Sequence, residues 1–328
     1  MQTKTAVMVL GVPRSGTSAL ARLIPVLGIE LGDEMVPPSH NNPRGFFEDT
    51  AVQRINVKLL ELAGRHLEWP GFDRTKVQFA PDYKRLRYEA AALLRQRFAN
   101  LDFWAFKDPR ATRLLFFWQS VFAEISCADV YIYALRHPAK VATSLCASSG
   151  LKPLVGLALW LECTLSAVQE TLQKPAVFVS YDNLLADPRG QMLRIAREFN
   201  WESRVLEREM HFYEKKFIDR SLEHATEISN DLIQAPIILP LAFDIYKLLQ
   251  NRAARNGAPS DFNAAWNALY SRYQTEYPAF LAAHPWMNDE NAIFAPKTQR
   301  LYQRLAYHGT GEFSRLGRRF AEKLIHGE

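Results

Sequence analysis

Residues Gly11–Ser18 read GVPRSGTS, a G-x-x-x-x-G-T-S spacing in which two glycines let backbone N–H groups converge on an anion. Loops that hold nucleoside triphosphates carry a lysine after the second glycine, where it reaches the β/γ-phosphates. Here Thr17 takes that place, and Arg14 is the cation of the loop. Ser15, Thr17 and Ser18 add hydroxyl donors. The phosphate cradle is kept while its triphosphate-handling charge has moved, which points to a nucleotide donor other than ATP. Three more groups of reactive residues follow apolar runs: Lys107-Asp108-Pro109-Arg110, Arg136-His137-Pro138 with Ser144 two helical turns on, and Tyr181-Asp182-Asn183.

The elements that must position these residues are legible from pattern. Thr5–Leu10 is a short apolar run with strand character, and Ala19, Leu20, Leu23, Ile24 and Leu27 recur at helical period after the loop. The loop therefore opens onto a helix N-terminus, which favours a phosphate. Pro25 inside that helix predicts a kink. Thr50–Ala63 and Tyr83–Ala99 read as helices, and Phe103–Phe106, Val130–Leu135 and Ala176–Ser180 as strands, each followed by a helical pattern. Repeated strand-then-helix order is the mark of a mostly parallel sheet covered by helices. Ligands of such sheets bind beyond the carboxyl ends of the strands, where the reactive residues fall. The expected fold is α/β, a P-loop NTPase-like parallel sheet flanked by helices. Residues 1–200 form its core and 201–328 a helical extension, with a linker over Asn251–Asp261.

At 328 residues and 48% hydrophobic content the chain can bury a sizeable core. A net charge of +5 suits anionic ligands but is too small to argue for nucleic acid. Cys127, Cys146 and Cys163 lack metal-ligand spacing and read as reduced thiols of a cytoplasmic protein. The N-terminal apolar run reads as the first strand rather than a signal peptide, and no stretch approaches the about 20 apolar residues of a membrane span. Glu312–Ile325 sets Phe313, Leu316, Phe320 and Leu324 on one face with basic residues elsewhere. Packing on its own protein is the favoured reading of that helix, with peripheral membrane contact or a homo-oligomer left open.

Taken together, GVPRSGTS at 11–18, LRHPAKVATS ending at Ser144 and VSYDNLLADP at 179–188 resemble the sulfotransferases that use 3′-phosphoadenosine 5′-phosphosulfate (PAPS). The branch indicated is the bacterial glycan-type or tyrosyl-protein-like one. The resemblance spans roughly residues 5–200. It implies a 5′-phosphosulfate loop at Arg14, Ser15, Gly16, Thr17 and Ser18, a 3′-phosphate site at Arg136 and Ser144, and Tyr181 beside the adenine. An arginine with a hydroxyl makes a charge-assisted clamp for that second anion. Lys107 resembles the lysine that stabilises charge on the transferring group. The implied reaction needs no metal and delivers sulfuryl to a hydroxyl on a glycan or small molecule.

That reaction requires a base for the acceptor proton. The histidine of the hormone-type K-T-H segment is replaced here by K-D-P-R. Asn42–Glu48 (NPRGFFE) is similar to the N-P-x-G-[FYW]-x-E segment of glycan-type enzymes and favours Glu48. Gly32-Asp33-Glu34 is similar to the G-E-E of tyrosyl-protein enzymes and makes Glu34 the second choice, with His40 and Asp49 behind. The R-K-G segment that closes the 3′-phosphate site in hormone-type enzymes is absent, which leaves either Lys215, Lys216 and Arg220 as substitutes or a more open site. Two other readings stay open. Asp108 after an apolar strand suits a P-loop kinase holding Mg²⁺, against which stand the missing loop lysine and Lys107. The other is a catalytically silent nucleotide-binding module.

Overall fold

The computed structural model describes residues 4–32, 34–38, 44–217, 238–255, 260–289 and 292–295. Strands β1 (Thr5–Leu10), β2 (Phe103–Lys107), β3 (Ala128–Leu135) and β4 (Ala176–Ser180) form one sheet in the order β2-β1-β3-β4, all neighbours parallel. Every residue of β1 is buried. This is the consequence of crossover helices covering both faces of a parallel sheet.

The helices in chain order are α1 (Thr17–Leu23), α2 (Thr50–Leu62), α3 (Arg74–Gln78), α4 (Tyr83–Arg97), α5 (Leu115–Glu124) and α6 (Pro138–Ser149). They continue with α7 (Pro153–Thr171), α8 (Tyr181–Ala186), α9 (Pro188–Glu198), α10 (Glu207–Phe212), α11 (Ile238–Ala253) and α12 (Phe262–Ala283). Alternation along β1 divides the core. Ala6, Met8 and Leu10 pack with α2, α4, α5 and α7, while Val7 and Val9 pack with α1, α9 and α10. The α/β architecture expected from the strand-then-helix order is the one observed.

Boundaries differ where backbone chemistry intervenes. The first helix stops at Leu23 and tightens into a 3₁₀ turn over Ile24–Leu27, because Pro25 cannot donate to a continuing α-helical ladder. β2 runs one residue further than the apolar pattern, so Lys107 is itself a strand residue, paired opposite Val9. β3 starts two residues early, at Ala128 opposite Thr5.

Beyond residue 200 the described residues are helices and turns. α11 packs on β4 and α7, and α12 on α11. Trp266 Nε1 donates to Gln169 Oε1 on α7 (3.0 Å), and the Tyr277 hydroxyl to Glu162 Oε1 (2.6 Å). The expected linker Asn251–Asp261 begins too early: Asn251–Ala253 is the last turn of α11, Asp261 is the N-cap of α12, and 256–259 lie outside the described residues. His40, Arg220 and the basic helix expected over Glu312–Ile325 also lie outside them. Among the described residues no helix is long and apolar enough to cross a membrane.

Candidate active site

The loop after β1 is held from two sides. Thr112 Oγ1 accepts from Gly11 N and donates to Gly11 O (3.1 Å each), and Ser15 Oγ donates to Val12 O (2.7 Å). Gly16 adopts φ +92°, and a Cβ there would lie 2.1 Å from the Tyr181 ring. The loop backbone can therefore lie flat on Tyr181 only with glycine at this position. Arg14 also takes a positive φ, 70°, uncommon for a residue with a side chain. That backbone turn sends its Nε to Ser144 Oγ (3.2 Å) while its carbonyl accepts from Arg136 Nη1 (3.0 Å). The Arg136 guanidinium lies 4.9 Å over the Tyr181 ring.

The ends of β1, β3 and β4 and the buried face of α6 thus converge on one spot. Arg14, Ser15, Gly16, Arg136, Ser144 and Tyr181, separated by up to 167 positions in the chain (181 − 14), adjoin one another there. Burial, then the charge of Arg136, push the Arg14 guanidinium below its ordinary pKa, with Tyr181 and Glu68 opposing. Arginine stays charged regardless. Two like charges held this close in a partly desolvated place favour an anion between them.

Lys107 forms a second centre beside the first. Its Nζ donates to Glu48 Oε1 (2.7 Å), Phe46 O (3.0 Å) and Ser18 Oγ (3.4 Å), which employs all three ammonium hydrogens. Ser18, in the first turn of α1, ties this centre to the anion loop. Glu48 Oε2 accepts from Gln53 Nε2 (3.2 Å) and Arg110 Nη1 (3.4 Å). Side-chain exposure is 2% for Lys107 and 6% for Glu48. Burial works to raise the Glu48 carboxyl, but Lys107 and Arg110 outweigh it, so its pKa lies below the usual value. Glu48 is an ionised, positioned carboxylate.

Its position follows from the chain on either side. Phe47 has φ 54° and Gly45 φ 99°, a sharply turned approach that wraps 46–48 around Lys107. Asp49 then caps α2, accepting from Ala51 N (2.9 Å) and Val52 N (3.2 Å), and pairs with Arg97 (2.7 Å). Asp49 is committed to this cap. Glu34 is exposed and accepts from Thr50 Oγ1 (3.2 Å). It is not among the groups bonded to Lys107 or Arg110.

Asp108, the residue on which a magnesium site would depend, is fully engaged. Oδ1 accepts from Arg110 N and Arg110 Nη1 (2.9 Å each), and Oδ2 from Asn56 Nδ2 (2.9 Å). Burial raises this carboxyl and Glu48 adds to the rise, with Arg110 opposing. Three N–H donors hold both of its oxygens in place. Among the described residues no group of three or more His, Cys, Asp or Glu is placed to hold a metal.

Sequence reasoning named Arg110 within K-D-P-R without giving it a role, and passed over Asn56, Gln53 and Thr112. Asn56 left a signal: it interrupts the apolar stripe Val52, Ile55, Leu59, and a buried amide needs partners. The large aromatics Tyr213, Trp69, Phe72 and Trp286 serve packing here. Tyr213 is buried with its hydroxyl on Ala19 O (2.9 Å), Trp69 Nε1 donates to Met287 O (2.9 Å), Phe72 packs 6.5 Å from Phe116, and Lys152 covers Trp286 at 4.3 Å. Lys216 contributes only its carbonyl, accepting from Arg44 Nη1 (3.3 Å).

Comparison with known proteins matches residues 6–204 to the family model described as the Sulfotransferase family. No curated protein matches. Solved structures similar to this chain include the sulfotransferase domain from the Synechococcus PCC 7002 olefin synthase, at 18% identity over 83% of this chain and 95% of that one, TM-score 0.38. Another is the sulfotransferase domain from the curacin biosynthetic pathway, at 15% identity over 84% and 99%, TM-score 0.41. Likenesses this distant say nothing about substrate.

Proposed function

The chain belongs to the sulfotransferase family, whose model covers more than half of it, and on that premise we propose that it transfers sulfuryl from PAPS to an acceptor hydroxyl on a glycan or small molecule, with Glu48 as the general base. The observation that carries this reading is the 2.7 Å contact between buried Lys107 and buried Glu48, tied by Ser18 to the anion loop. A cation for the transferring group and a carboxylate for the acceptor proton adjoin each other at the carboxyl end of β2.

The donor supplies an activated sulfuryl group. Its two anionic ends fit the residues present. Arg14 and the loop amides would hold the 5′-phosphosulfate, and Arg136 with Ser144 the 3′-phosphate, relieving the repulsion between the two arginines. Tyr181, under Arg136 and against Gly16, would take the adenine side. In the transfer, the acceptor oxygen forms a bond to sulfur as the bond from sulfur to the 5′-phosphate oxygen breaks. Glu48 takes the acceptor proton. Lys107 and Arg14 stabilise charge gathering on the leaving phosphate, which is where preorganised cations act most strongly.

Calorimetry with adenosine 3′,5′-bisphosphate (PAP), with and without Mg²⁺, tests the donor. Metal-independent binding is expected, and Mg-dependent ATP binding without PAP binding would favour a kinase. Glu48→Gln is expected to bind PAP normally while losing sulfuryl transfer about 10²–10⁴-fold. If Glu34→Gln loses transfer and Glu48→Gln retains it, the base is Glu34.

A further inference from the structure

We propose that Arg110 is a positioning residue for Glu48, holding one carboxylate oxygen fixed and charged while Lys107 turns to the transferring group. The inference rests on Glu48 being the base.

The argument begins with Lys107. Its three hydrogens are taken by Glu48, Phe46 O and Ser18, so binding a sulfuryl oxygen requires it to release at least one of them. Releasing Glu48 frees Oε1 to accept the substrate proton. It also strips the buried carboxylate of its nearest cation. Burial alone would then protonate Glu48, and a protonated carboxyl is no base.

Arg110 is built to prevent this. Its Nη1 stands between two carboxylates, 2.9 Å from Asp108 Oδ1 and 3.4 Å from Glu48 Oε2. The backbone N of Arg110 also donates to Asp108 Oδ1 (2.9 Å), because Asp108 caps the 3₁₀ turn Pro109–Arg113. The arginine is thus anchored at both ends to one oxygen. Asp108 is fixed in turn by Asn56 Nδ2 (2.9 Å), and Asn56 Oδ1 by Trp118 Nε1 (2.8 Å). Trp118, Asn56, Asp108, Arg110 and Glu48 are all buried. The result is an unbroken hydrogen-bonded chain from the core to Glu48 Oε2, ending in a side chain that cannot lose its proton. The groups facing Glu48 are Lys107 from β2, Gln53 from α2, and Arg110 with Asp108 from the turn after β2. Once Lys107 is withdrawn, Arg110 is the cation left among them.

The test imitates that withdrawal with Lys107→Met and follows the Glu48 carboxyl by ¹³C NMR in glutamate-labelled protein, Glu48→Gln identifying its resonance. In Lys107→Met the carboxylate is expected to stay ionised at neutral pH. Adding Arg110→Gln should raise its midpoint by at least about one pH unit, a tenfold change in proton affinity, and Arg110→Lys should restore most of the shift. In otherwise wild-type protein, Arg110→Gln should move the acidic limb of the rate profile for transfer from labelled PAPS to p-nitrophenol upward, with PAP affinity unchanged. PAP binding and circular dichroism establish that each variant is folded. Should Arg110→Gln fail to fold, Arg110→Lys and Asn56→Ala are measured in its place, and both should raise the midpoint, by less. An unmoved midpoint overturns the proposal. Full transfer by Glu48→Gln would instead overturn the base assignment. Loss of transfer in Glu48→Gln with no effect of the Arg110 variants removes this inference alone.

Discussion

Lys107→Ala tests whether the site holds a buried ion pair or two solvated charges. Nζ and Oε1 are 2.7 Å apart, with side chains 2% and 6% exposed. Breaking a buried pair costs about 3–5 kcal/mol when the remaining charge is left uncompensated. Glu48 keeps Arg110 at 3.4 Å and Gln53 at 3.2 Å, so the lower end, about 3 kcal/mol, is expected. For a chain of 328 residues that corresponds to a fall in Tm of about 4 °C. The pH dependence has a definite sign. In the native protein burial works to raise the Glu48 carboxyl, but the charge of Lys107 and then that of Arg110 outweigh it, so its folded pKa is depressed. Such a group stabilises the fold above its unfolded pKa, about 4.3, and the contribution disappears as pH falls through the folded value. Without Lys107, burial is opposed by Arg110 and Gln53 alone, so the carboxyl rises from its native value while staying ionised at neutral pH, and the variant loses less stability on acidification than the native protein. The deficit should therefore be largest at pH 7–8 and shrink toward pH 4. Urea unfolding of wild type, Lys107→Ala, Glu48→Gln and the double variant at pH 7.5 and 5.0 measures both the deficit and the coupling. A coupling below about 1 kcal/mol, equal at both pH values, is what an exposed pair gives, and it would refute the reasoning.

Other expectations concern the donor site. Arg136→Ala should weaken PAP about 10–100-fold by calorimetry, the worth of a charged hydrogen bond, while leaving adenosine 5′-phosphosulfate little affected. Equal losses for the two ligands would remove the 3′-phosphate role. Gly16→Ala places a methyl 2.1 Å from the Tyr181 ring at φ +92°, so PAP binding should fall more than about tenfold even though the fold survives. Retained affinity would show that the loop does not rest on Tyr181. Tyr181→Phe should bind PAP nearly as wild type, and Tyr181→Ala more weakly, since Arg136 uses the ring face at 4.9 Å. Mg²⁺ should leave PAP binding unchanged, because Asn56 and Arg110 occupy both oxygens of Asp108. A magnesium-dependent gain that disappears in Asp108→Asn would contradict that.

The fold and the residues that gather around the loop after β1 were legible because their signals are local. A strand, a glycine loop and a helix lie within Thr5–Leu23, and each later strand is a short apolar run with its reactive residues immediately behind it. For the base proposed above, local pattern ranked Glu48 and Glu34 first without separating them by contact, and the geometry shows why. Glu34 and Glu48 flank one short antiparallel contact, Met35 opposite Asp49, with Val36 N donating to Glu48 O and Thr50 N to Glu34 O (2.8 Å each). Both belong to the same short backbone pairing, so local pattern does not separate them. What separates them comes from β2, 59 residues further on, whose last residue places its ammonium on Glu48. The same long reach explains why Arg110 carried no role in the sequence: its contact with Glu48 spans 62 positions. Proline at 109 and the aspartate cap at 108 turn that arginine back toward the sheet. In K-D-P-R the lysine and arginine therefore meet the two oxygens of a single carboxylate, one cation for each. With Glu48 as the proposed base, a site with one cation would have to give up its hold on that carboxylate in order to reach a donor. With two, the carboxylate would be kept charged and aimed while the other cation moves.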